Sequence, residues 1–377
     1  MKSLRPAWVL LVVASLAGSG CVEAAKVQHT QQATFEVVAV ADNLEHPWGM
    51  AFLPDGALLV TERPGRLRLI SAAGVLQPQP IAGVPEVVAR GQGGLLDVAL
   101  HPDFRTNRLL YLSYAGRGPD GVNTEVVRAR FDGRRLHDAR VIFRALPKTG
   151  GSNHYGSRLL FDRDGYLFVT LGDRYNYRDR AQSIEDHLGT IVRLHGDGGV
   201  PADNPFVDRP GAQPEIYSYG HRNVQGIALR PGTNTVWAHE HGPRGGDEVN
   251  ILRPGANYGW PAITYGIDYS GFKISDLTEA PGMEQPVVYW DPSIAPSGMA
   301  FYSGTQFPQW QGDLFVGALA KRHLRRLELQ GDKVVAQEVL LGELRERIRD
   351  VRSGPDGFLY LLTDSSNGKL WRLEPRD

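Results

Sequence analysis

The feature that most constrains this chain is a short motif that occurs six times. Each copy has an apolar segment, a turn rich in Pro, Asp and Gly, and a second apolar segment, which is typical of a β-hairpin. Six such pairs predict an all-β fold, a six-bladed β-propeller of four-stranded antiparallel blades. A solenoid is the alternative, but it needs distinct caps, and none stands out. The copies begin at Trp48, Leu96, Ser157, Gln225, Ser297 and Ile348.

The segment Thr34–Leu44 precedes the first repeat and has the alternation of a strand. We expect it to complete the blade of the last repeat, because that pairing closes the ring and removes free sheet edges. With 42% hydrophobic residues, the 377-residue chain can bury a large core. We therefore interpret residues 34–376 as a single propeller domain.

Residues 1–25 differ in character from the rest of the chain. Lys2 and Arg5 precede an apolar stretch and then small residues, which is the pattern of a secretory signal. This pattern predicts export to the periplasm. Cys21 is the only cysteine in the sequence, and its lipidation would supply the one membrane attachment that we expect. An exported body without disulfides needs other stabilisation, such as a closed fold or a metal.

Polar side chains stand just before three of the repeats. Gln92 precedes the second repeat, His154 the third, and Arg222 with Asn223 the fourth. Residues just before equivalent propeller strands point toward one end of the axis, so the spacing predicts that these groups surround a common mouth. The alternative is that each one only hydrogen-bonds the neighbouring loops.

The stretch from His239 to Pro261 combines acids with glycines and turn carbonyls. Carboxylate and carbonyl oxygens suit a hard cation, so Asp247 and Glu248 indicate Ca²⁺. His239 and His241 lie two residues apart and suggest zinc instead, but no third-ligand motif accompanies them. A glycine-rich turn with solvated acids is the remaining interpretation.

Arg347 and Arg349 lie two residues apart on an expected strand, so both side chains share one face. Two guanidinium groups side by side call for an anion, commonly a carboxylate or a phosphate. The chain as a whole has a formal net charge of −1, which gives no reason to expect a nucleic acid. The cluster therefore favours a small polyanionic ligand over a protein partner.

Several longer motifs resemble one known family over about residues 35–375. They are GQGGLLDVALHPDF, NHYGSRLLFD, GHRNVQG, EHGPRGGDEVN, NYGWP and RIRDV. Together they resemble the soluble quinoprotein glucose/sorbosone dehydrogenases, and most closely the bacterial aldose sugar dehydrogenases. The resemblance implies a six-bladed propeller that binds pyrroloquinoline quinone (PQQ) and Ca²⁺ and oxidises the C1 hydroxyl of aldose sugars to lactones. A cytochrome or a quinone is the expected class of electron acceptor.

The resemblance also implies roles for individual residues. His154 matches the general base that takes the C1 hydroxyl proton while hydride passes to the quinone, and Arg222 with Asn223 matches the pair beside the quinone oxygens. Further cofactor contacts are implied for Gln92, Tyr269, Arg347 and Arg349. Backbone carbonyls that bind the cofactor's Ca²⁺ are implied for Gly242 and Pro243. Ligands of a second, structural Ca²⁺ are implied for Glu248 and Tyr258.

Two positions depart from the family pattern. Ala320 stands where the family often has a cofactor-contacting lysine, and Lys321 follows one place along. Asn153 precedes the base, where glucose-specific members have Asp. Two other functions stay open on the same fold. The paired arginines count against a Ca²⁺-dependent lactonase, and a non-catalytic interaction propeller has no need of a histidine–arginine mouth.

Overall fold

The computed structural model describes residues 26–376, so the predicted export segment, residues 1–25, lies outside the described part. The first two strands, β1 (Lys26–His29) and β2 (Thr34–Leu44), belong to the last sheet. The strands of blades 1 to 3 are β3 (Pro47–Phe52), β4 (Leu58–Glu62), β5 (Arg66–Ile70); β6 (Leu95–Leu100), β7 (Leu109–Gly118), β8 (Gly121–Phe131), β9 (Leu136–Arg144); and β10 (Leu159–Phe161), β11 (Leu167–Thr170), β12 (Thr190–Leu194), β13 (Ile216–Tyr219).

Blades 4 to 6 continue the same order. Their strands are β14 (Val224–Leu229), β15 (Val236–Glu240), β16 (Asp247–Ile251), β17 (Val288–Trp290); β18 (Pro296–Phe301), β19 (Leu314–Ala318), β20 (His323–Gln330), β21 (Lys333–Leu340); and β22 (Ile348–Ser353), β23 (Leu359–Thr363), β24 (Gly368–Pro375). Helix is confined to α1 (Phe104–Asn107) and three 3₁₀ turns within residues 26–376, and none of these is long and apolar enough to cross a membrane.

The six sheets form a closed ring. The first strand of each blade contacts the first strand of the next, in the order β3, β6, β10, β14, β18 and β22, and β22 contacts β3 again. These six inner strands surround the axis, and the later strands of each blade lie successively farther out. The predicted six-bladed β-propeller is therefore confirmed.

The N-terminal strand closes the last blade as predicted. β2 pairs antiparallel with β24, with Phe35 opposite Pro375 and Val38 opposite Arg372. β1 then pairs with the free edge of β2, which makes blade 6 five-stranded. Blade 1 has three regular strands, and isolated bridges such as that between Leu67 and Ile81 continue its outer edge. The expectation of four strands in every blade therefore holds only for blades 2 to 5.

The apolar core lies between adjacent blades. Phe35 of blade 6 packs edge-on against Trp310 of blade 5, with ring centroids 5.6 Å apart. Trp237 of blade 4 packs in the same way against Phe301 of blade 5, at 5.5 Å. Burial of large aromatic side chains is a major source of stability, and edge-to-face pairs add to it. Each blade is therefore held mainly by its two neighbours.

The centre of the ring is filled by charged side chains instead. Arg158 donates to Asp350 Oδ1 at 2.8 Å, and Arg352 donates to Asp350 Oδ2 and to Asp97 Oδ1, both at 3.0 Å. Asp97 Oδ2 in turn accepts the backbone N–H of Leu159 at 3.0 Å. This axial network, defined as Asp97, Arg158, Asp350 and Arg352, pairs two cations with two anions and joins the inner strands of blades 2, 3 and 6.

Glycines make room for this network. Gly49 of β3 and Gly298 of β18 occupy the repeat position that corresponds to Asp97 and Asp350. A Cβ atom at Gly49 would overlap Asp97 Oδ1, and one at Gly298 would overlap Asp350 Oδ1. The missing side chains at these two positions therefore allow the buried carboxylates to lie across the axis.

Replacing Asp350 by alanine leaves the buried Arg158 and the partly buried Arg352 with only the carboxylate of Asp97 between them. Removing one partner of a buried ion pair lowers the free energy of unfolding by about 3–5 kcal/mol, and we expect that loss for Asp350→Ala in chemical denaturation. Asp276→Ala is the control, because it breaks an exposed pair with Lys273 and should leave the midpoint unchanged. A wild-type midpoint for Asp350→Ala would show that the axial network does not stabilise the ring.

Candidate active site

His154 lies in the loop before β10 and is 5% exposed. Its backbone adopts a left-handed conformation with φ of 53°, which is uncommon outside glycine and is enriched at functional sites. Its Nδ1 lies 2.6 Å from Oδ1 of Asp173, so Nδ1 carries the proton and donates it to the carboxylate. Within residues 26–376, Nε2 makes no hydrogen bond, and this nitrogen is therefore free to accept a proton.

Burial and neighbouring charges decide the protonation of this pair. Burial lowers the pKa of His154, the hydrogen bond that its ring donates to Asp173 opposes that change, and the positive charge of Arg222 lowers the pKa further. Burial alone would raise the pKa of Asp173, but its interactions with His154 hold that pKa below its usual value. At neutral pH the pair is a neutral imidazole next to an ionised carboxylate.

Asp173 is held in place by two further donors. The indole Nε1 of Trp260 donates to its Oδ2 at 2.8 Å, and the backbone N–H of Tyr175 donates to its Oδ1 at 2.7 Å. No motif in the sequence marks Asp173 as a functional residue. The one signal is its position just after β11, because polar residues at the ends of propeller strands reach the same loops as His154.

A buried arginine supports the loop that carries His154. Arg174 is fully buried and donates to Thr149 Oγ1 at 3.3 Å, to the carbonyl of Gly151 at 3.2 Å and to the carbonyl of Asn153. Its guanidinium also lies over the ring of Tyr155, 3.6 Å from the centroid. These contacts fix the backbone on which His154 is carried, and this arginine was not foreseen from the sequence.

His154 opens into a cavity of about 370 Å³ that we name the mouth chamber. Arg222 lines it and donates to the carbonyls of Gly242 at 2.7 Å and His241 at 3.1 Å. Gln92 lies behind His154 and accepts its backbone N–H at 2.8 Å. The structure thus brings Gln92, His154 and Arg222 together, as the spacing predicts. The chamber residues are His154, Asp173, Tyr175, Asn176, Arg178, Asp179, Arg222, Pro243, Trp260, Asp268, Tyr269 and Ile274.

A second cavity of about 260 Å³ lies on the axis, and we name it the axial cavity. Apolar walls, including Trp48, Leu96 and Tyr155, form part of it, and several polar groups, including Asn223, form the rest. Asn223 Oδ1 accepts the backbone N–H of Gly156 at 3.1 Å, so this amide is partly engaged within the protein. Its residues are Trp48, Arg63, Gln92, Leu96, Tyr155, Gly156, Asn223, Gln225, His241, Ala295, Leu319, Ala320, Arg347, Arg349 and Asp364.

The two arginines predicted to hold an anion meet a carboxylate of the protein. Asp364 Oδ2 accepts from Arg347 at 3.1 Å and from Arg349 at 2.7 Å. Burial would raise the pKa of Asp364, but these two guanidinium groups hold it well below the usual range. The side chain of Arg347 is 41% exposed and that of Arg349 is 9% exposed. In the described part of the chain, Nε of Arg349 has no hydrogen-bond partner.

The predicted metal ligands divide between two places. Gly242, Glu248 and Tyr258 line one small cavity, whereas Pro243 lines the adjacent mouth chamber. Burial and the nearby carboxylate of Glu240 raise the pKa of Glu248. Within residues 26–376, no group of three His, Cys, Asp or Glu side chains converges as a metal site. A cation in the small cavity would therefore depend on carbonyl oxygens as well as on Glu248.

Hydrogen bonds show which neighbouring groups are already engaged. Asp247 accepts the backbone N–H of Gly242, Ile294 and Ala295 at 2.7–2.9 Å, so its carboxylate is already engaged within the protein. The hydroxyl of Tyr258 donates to the carbonyl of Ile251 at 2.7 Å, which leaves the backbone carbonyl of Tyr258 as the atom to consider.

Five other positions singled out in the sequence differ in their surroundings. Within residues 26–376, the ring nitrogens of the buried His239 have no hydrogen-bond partner, whereas Nε2 of His241 donates to the carbonyl of Pro296 at 2.6 Å. No third His, Cys, Asp or Glu side chain in that range joins the two histidines in a metal site. Tyr269 is 58% exposed and lines the mouth chamber rather than the axial cavity. Ala320 lines the axial cavity and Lys321 is exposed in the following turn.

Known proteins are similar to this chain in both sequence and structure. The aldose sugar dehydrogenase YliI of Escherichia coli is 50% identical over 351 residues, which cover 92% of this chain and 94% of that protein. The apo-form crystal structure of the soluble aldose sugar dehydrogenase from Escherichia coli is 48% identical, with a TM-score of 0.88 over 91% of this chain and 100% of that one.

A more distant structure carries a ligand. The PQQ-bound form of aldose sugar dehydrogenase from Streptomyces coelicolor is 30% identical, with a TM-score of 0.75 over 92% of this chain and 100% of that one. The sequence profile of the family described as Glucose / Sorbosone dehydrogenase matches residues 44–372. The chain therefore belongs to the glucose/sorbosone dehydrogenase family of sugar oxidoreductases.

Proposed function

We propose that this protein is a PQQ- and Ca²⁺-dependent aldose sugar dehydrogenase that oxidises the C1 hydroxyl to a lactone with His154 as the general base. The observation that carries the proposal is the free Nε2 of His154, on an imidazole oriented by Asp173 and facing an open chamber. The similarity to a PQQ-bound relative supports the choice of cofactor.

The axial cavity fits PQQ in shape and in charge. PQQ is a flat molecule with three carboxylates, and the cavity combines the apolar walls of Trp48 and Leu96 with cationic side chains. Nε of Arg349 is a buried donor without a partner, which a ligand carboxylate would satisfy. Asn223 and Gln92 would supply further polar contacts. When bound, PQQ supplies the two-electron acceptor that takes the C1 hydride.

The residues around the mouth chamber account for the rest of the chemistry. Nε2 of His154 takes the proton from the C1 hydroxyl, and Asp173 stabilises the imidazolium that forms. Arg222 also lines the chamber and would stabilise the negative charge that develops on the hydride acceptor as it is reduced. Trp260 excludes water from one side of Asp173, because its indole contacts that carboxylate directly. Loss of one hydride and one proton converts the C1 alcohol to a carbonyl.

We propose Ca²⁺ as the metal on grounds of ligand chemistry. Glu248 lies partly buried near Glu240, and two neighbouring carboxylates call for a cation or a proton between them. Glu248 and the backbone carbonyl of Tyr258 would hold a structural Ca²⁺, while the carbonyls of Gly242 and Pro243 would contact the ion that accompanies the cofactor. We further propose export to the periplasm, supported by residues 1–25, and electron transfer to a cytochrome or a quinone.

Replacing His154 by glutamine keeps a polar side chain in the loop and removes the proton acceptor. We expect turnover of the PQQ- and Ca²⁺-loaded enzyme on saturating aldose to fall by roughly 10²- to 10⁴-fold, the usual contribution of a positioned general base. His195→Gln, at an exposed histidine that lines neither cavity, should keep wild-type turnover. Turnover of His154→Gln within a factor of two of wild type would show that this histidine is not the base.

The pH dependence of kcat/KM should report the burial of His154. The base acts when it is neutral, and burial lowers its pKa, so activity should persist below pH 6.5 and fall only as the imidazole finally protonates. Asp173→Asn removes a hydrogen bond that favours the protonated form, so it should move this acid limb to lower pH while reducing the maximum rate. An acid limb that begins above pH 7 in the wild type would contradict the assignment.

Removal of Ca²⁺ should affect both activity and stability. We expect dialysis against a chelator to abolish sugar oxidation and to lower the thermal midpoint, because an ion that binds only the folded state stabilises it by mass action. Added Ca²⁺ should restore both quantities, and Zn²⁺ should restore neither, because the ligands are oxygens. Full activity of calcium-free protein, or rescue by Zn²⁺ alone, would overturn the choice of metal.

A further inference from the structure

Among residues 26–376, the side chain of Arg63 has no hydrogen-bond or ion-pair partner. Arg63 lies in the turn between β4 and β5, and it lines the axial cavity. Its backbone is fixed, since its N–H donates to the carbonyl of His46 at 3.1 Å and its carbonyl accepts from Leu95 at 3.0 Å. Its half-buried guanidinium makes no hydrogen bond and no ion pair with any residue from 26 to 376. The donors of Arg63 are therefore held beside the cavity without an acceptor.

Other arginines of the same hairpin are paired. Arg66 donates to Glu62 at 2.6 Å and to Glu45 at 2.7 Å, and Arg68 donates to Glu62 at 3.2 Å. Glu62 is fully buried and satisfies both of these neighbours. The hairpin as a whole therefore does not leave its arginines unpaired. Of the three, Arg63 alone lines the axial cavity, and Arg63 is the unpaired one.

The charges around Arg63 also point to an anionic ligand. Burial lowers the pKa of Arg63, the charge of Asp364 opposes this, and the charges of Arg349 and Arg347 add to it. Within residues 26–376, the lining of the axial cavity contains one acidic side chain, that of Asp364. Its Oδ2 already accepts hydrogen bonds from Arg347 and Arg349. Three cations and one anion leave two positive charges uncompensated at this end of the cavity. A ligand that carries more than one carboxylate would neutralise them.

We propose that Arg63 is a cofactor-binding residue that pairs with a carboxylate of PQQ distinct from the one nearest Arg347 and Arg349. The proposal deepens the proposed function and rests on it. Arg63 belongs to blade 1, whereas Arg347 and Arg349 belong to blade 6. The bound polyanion therefore joins blade 1 to blade 6. Cofactor binding then stabilises the contact between the first and last blades as well as enabling the reaction.

The test measures binding of PQQ to the Ca²⁺-loaded, PQQ-free protein by fluorescence titration and by the rise of the thermal midpoint. We expect Arg63→Gln to weaken PQQ affinity by about tenfold or more, the usual effect of losing a charge-assisted hydrogen bond. Arg63→Lys keeps the charge without the planar fork and should lie between Arg63→Gln and wild type. Arg134→Gln removes an exposed arginine that lines neither cavity and should bind as wild type does.

The outcomes separate this inference from the proposed function. If wild-type protein fails to bind PQQ, the proposed function fails and the inference fails with it. If wild type binds PQQ and Arg63→Gln binds within twofold of it, the inference is overturned while the proposed function stands. Weakened binding by Arg63→Gln with an unchanged midpoint in the absence of PQQ supports the inference, because the variant is then folded. Equal losses in Arg63→Gln and Arg134→Gln would show only a general charge effect and would overturn it.

Discussion

The buried axial network is the constraint on which the rest of this propeller depends. Arg158 bridges toward Asp97 and Asp350 inside a ring whose apolar cores lie between the blades, so these charges rather than apolar packing fill the centre. Side chains alternate along the inner strands, and the residues just before the two acids, Leu96 and Arg349, line the axial cavity. In both inner strands, one residue therefore lines the ligand cavity and the next residue, an aspartate, belongs to the axial network.

The sequence was sufficient to predict the blades because their signals are local. Apolar segments and turn residues recur at equivalent places, and the pairing of Thr34–Leu44 with the last blade follows from the need to close the ring. The extra strand Lys26–His29 was not predicted, since its pairing depends on the exposed edge of β2 and not on its own pattern. The reduced blade 1 was missed for a similar reason: its outer segment, around Ile81, contributes isolated bridges and no regular strand.

The site was predicted where a residue's place in the repeat decides its direction. Gln92, His154 and Arg222 fall before equivalent strands, and the structure brings them together. Asp173 and Arg63 escaped notice because each follows the second strand of its repeat, and its role depends on tertiary neighbours. Asp173 depends on His154 in the loop before the same blade, and Arg63 on the charged residues of blade 6. Such contacts depend on the tertiary structure and cannot be predicted from local sequence patterns. For the same reason, the sequence did not show that Arg347 and Arg349 both donate to the carboxylate of Asp364.

We propose that His154 removes a proton from a sugar while an electron acceptor lies in the axial cavity. The most direct measurement is an anaerobic single turnover, in which protein loaded with PQQ and Ca²⁺ is mixed with an aldose and its absorbance is followed. We expect the spectrum of the bound quinone to be lost and one lactone to form per bound PQQ. A quinone spectrum that persists after the aldose is added, in protein shown to hold both cofactors, would contradict it.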